Sequence, residues 1–258
     1  MKMNRKIVSL ILLAVSASAM AYDAVGHRIV ADIAYQNLTE KARQGVDAVL
    51  GKRGMVYEAT WADEIRSDQK YAYSYQWHYQ NLADNMADAD IKKLMDNPKA
   101  EGEHLFFALD SLSKVLKKDR KNAEALKYII HFTGDLHQPM HMGRKDDKGG
   151  NSVDYNWFGK KINLHSLWDS YLIDNNRMSY TEYSQYLQDK FGPRKAEIQK
   201  CTLLESVKAS YKVRNLIYGY DYSDTSNYHY AYRFSDNLDE MLYRGGIQLA
   251  NILNSIYK

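Results

Sequence analysis

The sequence predicts an all-α protein, and three observations support this prediction. Apolar residues recur at intervals of three and four between residues 105 and 116 and again between residues 234 and 256, which is the spacing of amphipathic helices. Only three prolines interrupt the 258-residue chain. Sustained alternation of apolar and polar residues, the pattern of half-buried strands, is scarce apart from a short candidate hairpin at residues 153–162.

Further elements can be placed along the chain in order. Residues 26–38 have helical apolar spacing. Residues 122–136 predict a helix that ends before Pro139, because proline lacks the amide hydrogen that would continue it. The polar, glycine-rich residues 146–151 predict a loop, and residues 164–173 predict another helix.

The first residues have the pattern of a secretory signal peptide. Three basic residues precede an apolar run at residues 7–15, and small residues surround a candidate cleavage site after residue 21. We therefore expect residues 1–21 to be a signal peptide and residues 22–258 to form one domain that is exported to the periplasm or secreted. A membrane anchor is disfavoured, because the apolar run is shorter than the roughly 20 residues that span a bilayer.

Charge and cysteine content limit the functions that are possible. The full chain has 35 basic and 32 acidic residues, and without the three basic residues of the expected leader the two numbers are equal. Proteins that bind nucleic acid through lysine and arginine normally have a basic excess. If this protein binds phosphodiesters, bound metal must therefore supply much of the positive charge. A single cysteine excludes an intrachain disulfide.

Histidine and aspartate residues form a pattern that is typical of metal binding. His131 precedes Asp135, and His165 precedes Asp169, by four residues, which places both members of each pair on one face of a helix. His141 follows closely after the first pair. Imidazole and carboxylate donors without thiolate are suited to catalytic zinc, which keeps coordination positions open for water or substrate.

Three segments form a distinctive combination: Gly134-Asp135-x-His137-Gln138-Pro139-x-His141, Gly149-Gly150-Asn151 and Asn163-Leu164-His165-x-x-Trp168-Asp169. Together they resemble the S1/P1 nucleases, a family of zinc-dependent, single-strand-specific enzymes. The family includes plant bifunctional nucleases and is related to the zinc phospholipases C, with which it shares a helical scaffold and a trinuclear zinc cluster. The resemblance extends over residues 22–171, and the remaining third of the chain resembles the family in helical character more than in motif.

The resemblance implies a single-domain helical fold with three zinc ions, two of them bridged by Asp135. Family members usually begin with tryptophan, whereas the first residue after the expected leader is Tyr22, whose amine and carbonyl can still bind metal. His137 is implied to support a neighbouring ligand. The implied ligands are Tyr22 and His27 for the first ion, Asp63, His78 and His131 for the second, and His141, His165 and Asp169 for the third.

The resemblance also implies which residues act on the substrate. Asp63, Arg66 and Asn151 are implied to be catalytic, the last two by stabilising charge that develops on the phosphate. Tyr79 is implied to stack on a base, and Asn81 occupies a position that is acidic in relatives. Because an amide both donates and accepts hydrogen bonds, whereas a carboxylate only accepts them, base preference is not carried over.

The function that the resemblance implies is hydrolysis of single-stranded DNA and RNA to 5′-phosphorylated products, together with removal of phosphate from 3′-nucleotides. No stable protein partner and no membrane attachment are expected after the leader is cleaved. Two alternatives remain. One is a zinc phospholipase C acting on phospholipid headgroups, and the other is a zinc-storing protein, which would need neither a bridged pair of ions nor open coordination.

Overall fold

A computed structural model describes residues 24–258, and in this range the protein is helical with one small sheet, as predicted. No helix within the described range is both long and apolar enough to cross a bilayer. The α-helices are α1 (Ala24–Gln36), α2 (Glu40–Leu50), α3 (Gly54–Tyr57), α4 (Trp61–Glu64), α5 (Asp88–Asp96), α6 (Leu105–Lys118), α7 (Ala123–His137), α8 (Leu164–Ser166), α9 (Leu172–Asp174), α10 (Tyr180–Phe191), α11 (Lys195–Ile198), α12 (Leu203–Tyr218) and α13 (Asn227–Ile256).

Short elements of other geometry join these helices. The predicted hairpin is present: β1 (Asp154–Trp157) pairs antiparallel with β2 (Lys160–Asn163). The helix predicted at residues 164–173 consists of α8 and α9 separated by a π-helical stretch. That stretch is Leu167–Tyr171, and the 3-10 helices are Glu58–Thr60, Ile65–Ser67, Gln69–Ser74, Pro139–Met142 and Gly192–Arg194.

The core lies where the 30-residue helix α13 crosses α1 and α7. Ile29, Val30 and Ile33 of α1 are fully buried in it. The approach of α13 depends on Gly246, because a Cβ atom there would lie 2.4 Å from Cγ2 of Ile33. Helix α13 therefore packs directly against α1 at this point.

Helix α7 is the central element and carries polar residues into the interior. Its N-terminus is capped by Asn122, whose side-chain oxygen accepts a hydrogen bond from the amide of Ala125 at 2.9 Å. It ends before Pro139, as predicted. Every residue from 128 to 137 is buried, so any histidine or aspartate in this segment is removed from bulk water. Burial of so many polar groups has a cost unless they are paired or bind metal.

Candidate metal centre

Eight of the nine predicted ligands lie in the described residues, and the structure brings all eight together; Tyr22 lies outside the described range. Each of the eight is buried, Asp63 being the most exposed at 8 %. Within each of three groups the donor atoms lie within 4.8 Å of one another. The groups are His27 with Asp63 and His131, His78 with His131 and Asp135, and His141 with His165 and Asp169.

The ligands converge from short segments that are distant in sequence. Helix α7 contributes two of them, because a spacing of four residues places both on its inner face. The others come from the first turn of the core helix α1, from α4, from the turn after Gln69–Ser74, from the 3-10 helix after Pro139, from α8 and from the π-helical stretch. The geometry of the centre therefore depends on the tertiary fold and not on one local motif.

In the first two groups the donor atoms surround Asp135. Its Oδ1 lies 3.5 Å from Nε2 of His27, and its Oδ2 lies 3.4 Å from Nε2 of His131 and 3.1 Å from Nδ1 of His78. The carboxylate of Asp63 also approaches these rings, 3.7 Å from Nδ1 of His78 and 3.7 Å from Nε2 of His131. Because its two oxygens face different histidines, Asp135 has the geometry of a bridging carboxylate.

The third group is built on the second predicted histidine and aspartate pair. Nε2 of His165 lies 3.2 Å from Oδ2 of Asp169, and Nε2 of His141 lies 3.8 Å from Oδ1. The buried Gln138 donates a hydrogen bond from Nε2 to the same Oδ1 atom. Its own Oε1 accepts a hydrogen bond from the amide of Met140, so this side chain holds the carboxylate in place.

Three imidazole rings are oriented by backbone carbonyls. Nδ1 of His131 donates to the carbonyl of Ala59 at 2.8 Å, and Nδ1 of His165 donates to that of Gly149 at 2.7 Å. Nδ1 of His141 donates to the carbonyl of His78 at 2.5 Å. Each contact places the proton on Nδ1 and leaves Nε2 as the atom that can bind a metal.

Burial and neighbouring charges set the protonation of the metal-free centre. Burial lowers the pKa of His27, His78 and His165, which keeps these rings neutral. Burial alone would also lower the pKa of His141, but the nearby carboxylates outweigh it and raise this pKa to about 9. Conversely, burial would raise the pKa of Asp135, but the charges of the surrounding histidines hold it below its usual range.

These groups fit zinc. Nε2 of His131 and Nε2 of His141, the ring atoms that face the carboxylates, are buried and make no hydrogen bond within residues 24–258. Ligand atoms that are bound about 2.0 to 2.1 Å from one tetrahedral ion lie about 3.3 to 3.4 Å apart, and most of the separations given above lie close to this value. Nitrogen and carboxylate donors without sulfur are also the set that zinc takes in catalytic sites.

His137 does not join the three groups. It is fully buried, and Nδ1 donates to the carbonyl of Thr133 at 2.8 Å within α7. Its ring packs close to Gly245 of α13, where a Cβ atom would lie 3.4 Å from it. These contacts place His137 between α7 and α13, and its role in supporting a neighbouring ligand stays a prediction.

The ligands border an open cavity of about 400 Å³ that contains all four remaining predicted site residues. Tyr79, Asn81 and Asn151 line it, and the guanidinium of Arg66 lies 3.5 Å from Oδ1 of Asp63. Asn151 also donates from Nδ2 to the carbonyl of Lys148 at 2.8 Å. Among the eight ligands, His78, His141 and His165 line the cavity, so members of two metal groups lie close to a cation, amides and an aromatic ring.

Sequence reasoning missed several residues of the cavity. Tyr75, Lys145 and Lys148 line it but belong to no recognisable motif. The support that Gln138 gives to Asp169 was also missed, although Gln138 lies within the first motif segment. Its position directly after the helix that carries two ligands was the available signal.

Comparison with known proteins agrees with this geometry. The family model described as S1/P1 Nuclease matches residues 22–258. The chain is 26 % identical over 281 residues to Endonuclease 2 of Arabidopsis thaliana, covering 97 % of this chain and 96 % of the relative. It is 28 % identical over 157 residues to Nuclease P1 of Penicillium citrinum, covering 58 % of each chain. It is 26 % identical over 180 residues to Nuclease S1 of Aspergillus oryzae, covering 67 % of this chain and 62 % of the relative.

The two fungal matches span about three fifths of those proteins, whereas the family model and the plant relative span nearly all of this chain. The match over residues 22–258 includes both predicted histidine and aspartate pairs and the Gly-Gly-Asn segment. It also includes the helices that form the core behind them. The chain therefore belongs to the S1/P1 nuclease family.

Proposed function

We propose that the protein is an exported, zinc-dependent endonuclease that hydrolyses single-stranded DNA and RNA to 5′-phosphorylated products and also removes phosphate from 3′-nucleotides. Membership of the family makes it a nuclease, a hydrolase of phosphodiester bonds. The observation that carries the finer proposal is the clustering of three buried histidine and aspartate groups, two of which contribute histidines to the lining of one open cavity. A protein that has equal numbers of basic and acidic residues after loss of the expected leader needs such a source of positive charge to act on a polyanion.

The residues that would hold the ions are the eight described ligands, together with Tyr22 at the expected mature N-terminus. When bound, zinc supplies positive charge at the phosphate and lowers the pKa of coordinated water towards neutrality. Asp135 would bridge two ions through its two oxygens, because these face different histidines. The third group lies beside them, since His141 approaches both Asp135 and Asp169.

The other side chains of the cavity bind and orient the substrate. Arg66 can donate to a phosphate oxygen, because it faces the cavity and its contact with Asp63 is long for a hydrogen bond. Asn151 is held at the cavity wall by its bond to Lys148. Tyr79 offers a ring for a base to stack on, and Asn81 offers both a donor and an acceptor to the base edge.

The activity is tested with signal-cleaved protein on denatured DNA, duplex DNA, RNA, a 3′-nucleotide and phosphatidylcholine. We expect cleavage of the single-stranded polymers and the 3′-nucleotide, little cleavage of the duplex, and loss of all activity with a chelator. Activity on phosphatidylcholine without activity on nucleic acid would support the phospholipase alternative. Zinc binding without hydrolysis of any substrate would support a storage protein.

Metal content is tested separately by elemental analysis of undialysed, active protein. We expect close to three zinc ions per chain, one for each group of ligands. Because the ligands converge only in the folded chain, the chelator should also lower the melting temperature. A content of one ion or fewer in active protein would contradict the trinuclear centre, and an unchanged melting temperature would contradict its contribution to folding.

A further inference from the structure

The metal cavity continues into a second depression, which we call the flanking groove. Three residues line both spaces: Tyr79, Asn81 and Lys145. The flanking groove has a volume of about 770 Å³, compared with about 400 Å³ for the metal cavity. The residues that line the flanking groove and not the metal cavity include Gln76, Gln80, Asp84, Glu101, His104 and Arg144.

Tyr79 forms the boundary between the two spaces. Its ring is tilted by 40° against the ring of His104, with the centroids 5.5 Å apart, so the flanking groove has an aromatic wall on that side. The metal cavity is at the small end of the range for small-molecule sites, about 300 to 1,000 Å³. A polynucleotide whose scissile phosphate lies at the metal groups therefore has to extend beyond it, and the flanking groove is the space that adjoins it.

Some of the basic side chains near this boundary already form ion pairs within the protein, and one does not. Arg144 donates from Nε to Asp84 at 3.0 Å, and its guanidinium lies over the ring of Tyr218 at 4.1 Å. The buried Arg214 pairs with the same carboxylate. Lys145, in contrast, is exposed and its side chain makes no hydrogen bond or ion pair with any of residues 24–258 in the structure.

The flanking groove as a whole is not basic. Glu101 and Asp146 line it as well, and the charge of Asp84 is balanced by the two arginines. A general positive field therefore cannot hold a second phosphate there. Any attraction for one has to come from a single point, and Lys145 is the cation at the junction that has no partner among the described residues.

We propose that Lys145 is a specificity-determining residue that binds the phosphate next to the scissile one, with the neighbouring nucleoside in the flanking groove. This inference rests on the proposed nuclease function and adds a subsite to it. Lysine suits this role, because its ammonium is a compact point charge on a flexible stem and tolerates different backbone geometries of a single strand. Substrates with two phosphates are therefore favoured over substrates with one.

Lys148 provides an internal comparison, because it lines the metal cavity and not the flanking groove. Its backbone is left-handed, with φ of 56°, at the start of a run that continues through Gly149 and Gly150. Glycine or asparagine would adopt this conformation at lower cost, so the backbone does not require lysine there. Its charge borders the scissile phosphate and should affect substrates of either length equally.

The test compares a dinucleoside monophosphate, which carries only the scissile phosphate, with the trinucleoside diphosphate of the same base. The value of kcat/KM on both substrates is measured for four proteins: wild type, Lys145→Ala, Lys148→Ala and Lys117→Ala. Lys117 is an exposed lysine near the end of α6 that lines neither space and serves as the matched control. Circular dichroism and zinc content establish that each variant is folded and loaded.

We expect Lys145→Ala to lower kcat/KM for the trinucleotide about tenfold, mainly through KM, and to lower it much less for the dinucleotide, because only the trinucleotide loses a charge-assisted contact to a flanking phosphate. Lys148→Ala should lower kcat/KM by the same factor for both substrates, and Lys117→Ala should change kcat/KM for neither. Replacing the flanking phosphate of the trinucleotide with a neutral methylphosphonate should reduce kcat/KM of the wild type by the same factor. The same replacement should not reduce kcat/KM of Lys145→Ala any further.

Equal effects of Lys145→Ala on the two substrates, or an additive effect of the methylphosphonate in that variant, would overturn the subsite while leaving the nuclease function intact. A wild-type protein that is fully loaded and cleaves neither substrate nor longer single strands would overturn the proposed function instead. The dependence on salt gives a second readout. For the trinucleotide the slope of log kcat/KM against log salt should become shallower by about 0.7 in Lys145→Ala.

Discussion

A Cβ atom on Gly134 would lie 2.7 Å from Nδ1 of His27 and 3.1 Å from its Cε1. Helix α7 can therefore approach the first turn of α1 at the metal centre only because residue 134 has no side chain. On its other side the ring of His27 stacks against His131 with centroids 3.8 Å apart. His27 therefore packs against two positions of α7, residues 131 and 134.

Substitution Gly134→Ala tests this packing. We expect the added methyl group to displace His27 and so to weaken binding of the first zinc ion. Activity should fall by about 10 to 100-fold, as when a supporting contact at a metal site is lost. Gly192→Ala is the control, because a Cβ atom at that position meets no atom within 4 Å. Zinc content and kcat/KM are the measurements, and wild-type values for Gly134→Ala would show that the centre adapts.

Asp135→Asn and Asn81→Ala separate metal binding from base recognition. The first removes a charge from the carboxylate that faces both metal groups, and we expect kcat to fall by more than about 100-fold. The second removes a contact to the base, so it should change the order of preference among homopolymers with a smaller loss. Comparable losses in both variants, with zinc retained, would mean that Asp135 is not the bridge.

Gln138→Ala tests the support of the third group. Gln138 is fully buried and donates to Asp169, so its removal leaves this carboxylate free to rotate. We expect affinity for the third ion to fall by about 10 to 100-fold while the other two are retained. Competition with a graded series of chelators measures this, and simultaneous loss of all three ions would indicate a general folding defect.

The pH dependence of stability should differ between the metal-free and the loaded protein. In the metal-free chain the pKa of His141 is raised to about 9 from an ordinary value of 6.5. The charged ring therefore stabilises the metal-free fold below about pH 6.5, and this contribution is lost as the pH rises towards 9. Zinc requires the neutral ring, so its apparent affinity should increase over the same interval.

Thermal denaturation between these pH values checks this expectation. The melting temperature of chelator-treated protein should fall relative to that of zinc-loaded protein as the pH rises. His141→Gln cannot titrate at this position and should show a smaller change. The same slope in His141→Gln and wild type would assign the pH dependence to other groups.

The N-terminus provides a further prediction. Tyr22 can bind zinc through its amine only if that amine is free, and an α-amine with a pKa near 8 must lose its proton to do so. A form of the protein that retains methionine before Tyr22 carries an amide there instead. We expect it to contain less zinc and to be at least about 100-fold less active on single-stranded DNA. Equal zinc content and equal rates in the two forms would exclude Tyr22 as a ligand.

The sequence predicted most reliably those features that depend on local periodicity. Helices α6, α7 and α13 and the hairpin of β1 and β2 were found because their apolar or alternating residues repeat regularly. Helices α2, α5, α10 and α12 were not predicted, because polar residues dilute their apolar spacing. The local caps Thr39, Ser179 and Thr202 begin three of them and were the available signal. The π-helical turn around Asp169 leaves no signature in the residue pattern.

The site was predictable to the extent that its residues lie in motifs. The two histidine and aspartate pairs follow from helical spacing, whereas Asp63, His78 and His27 came only from the family resemblance. No sequence pattern indicated that Gly134 makes room for His27 or that Lys145 lies at the junction of two spaces. Such features arise where segments distant along the chain meet.

The wide separation of the ligands along the chain also determines when the metal centre can form during synthesis. His27 emerges from the ribosome long before Asp135, whose carboxylate faces it, and Asp169 of the third group emerges later still. A nascent or unfolded chain therefore has no assembled centre. If the expected leader directs export of the unfolded chain, the proposed nuclease activity would be acquired only on the far side of the membrane, and the producing cell would need no separate inhibitor.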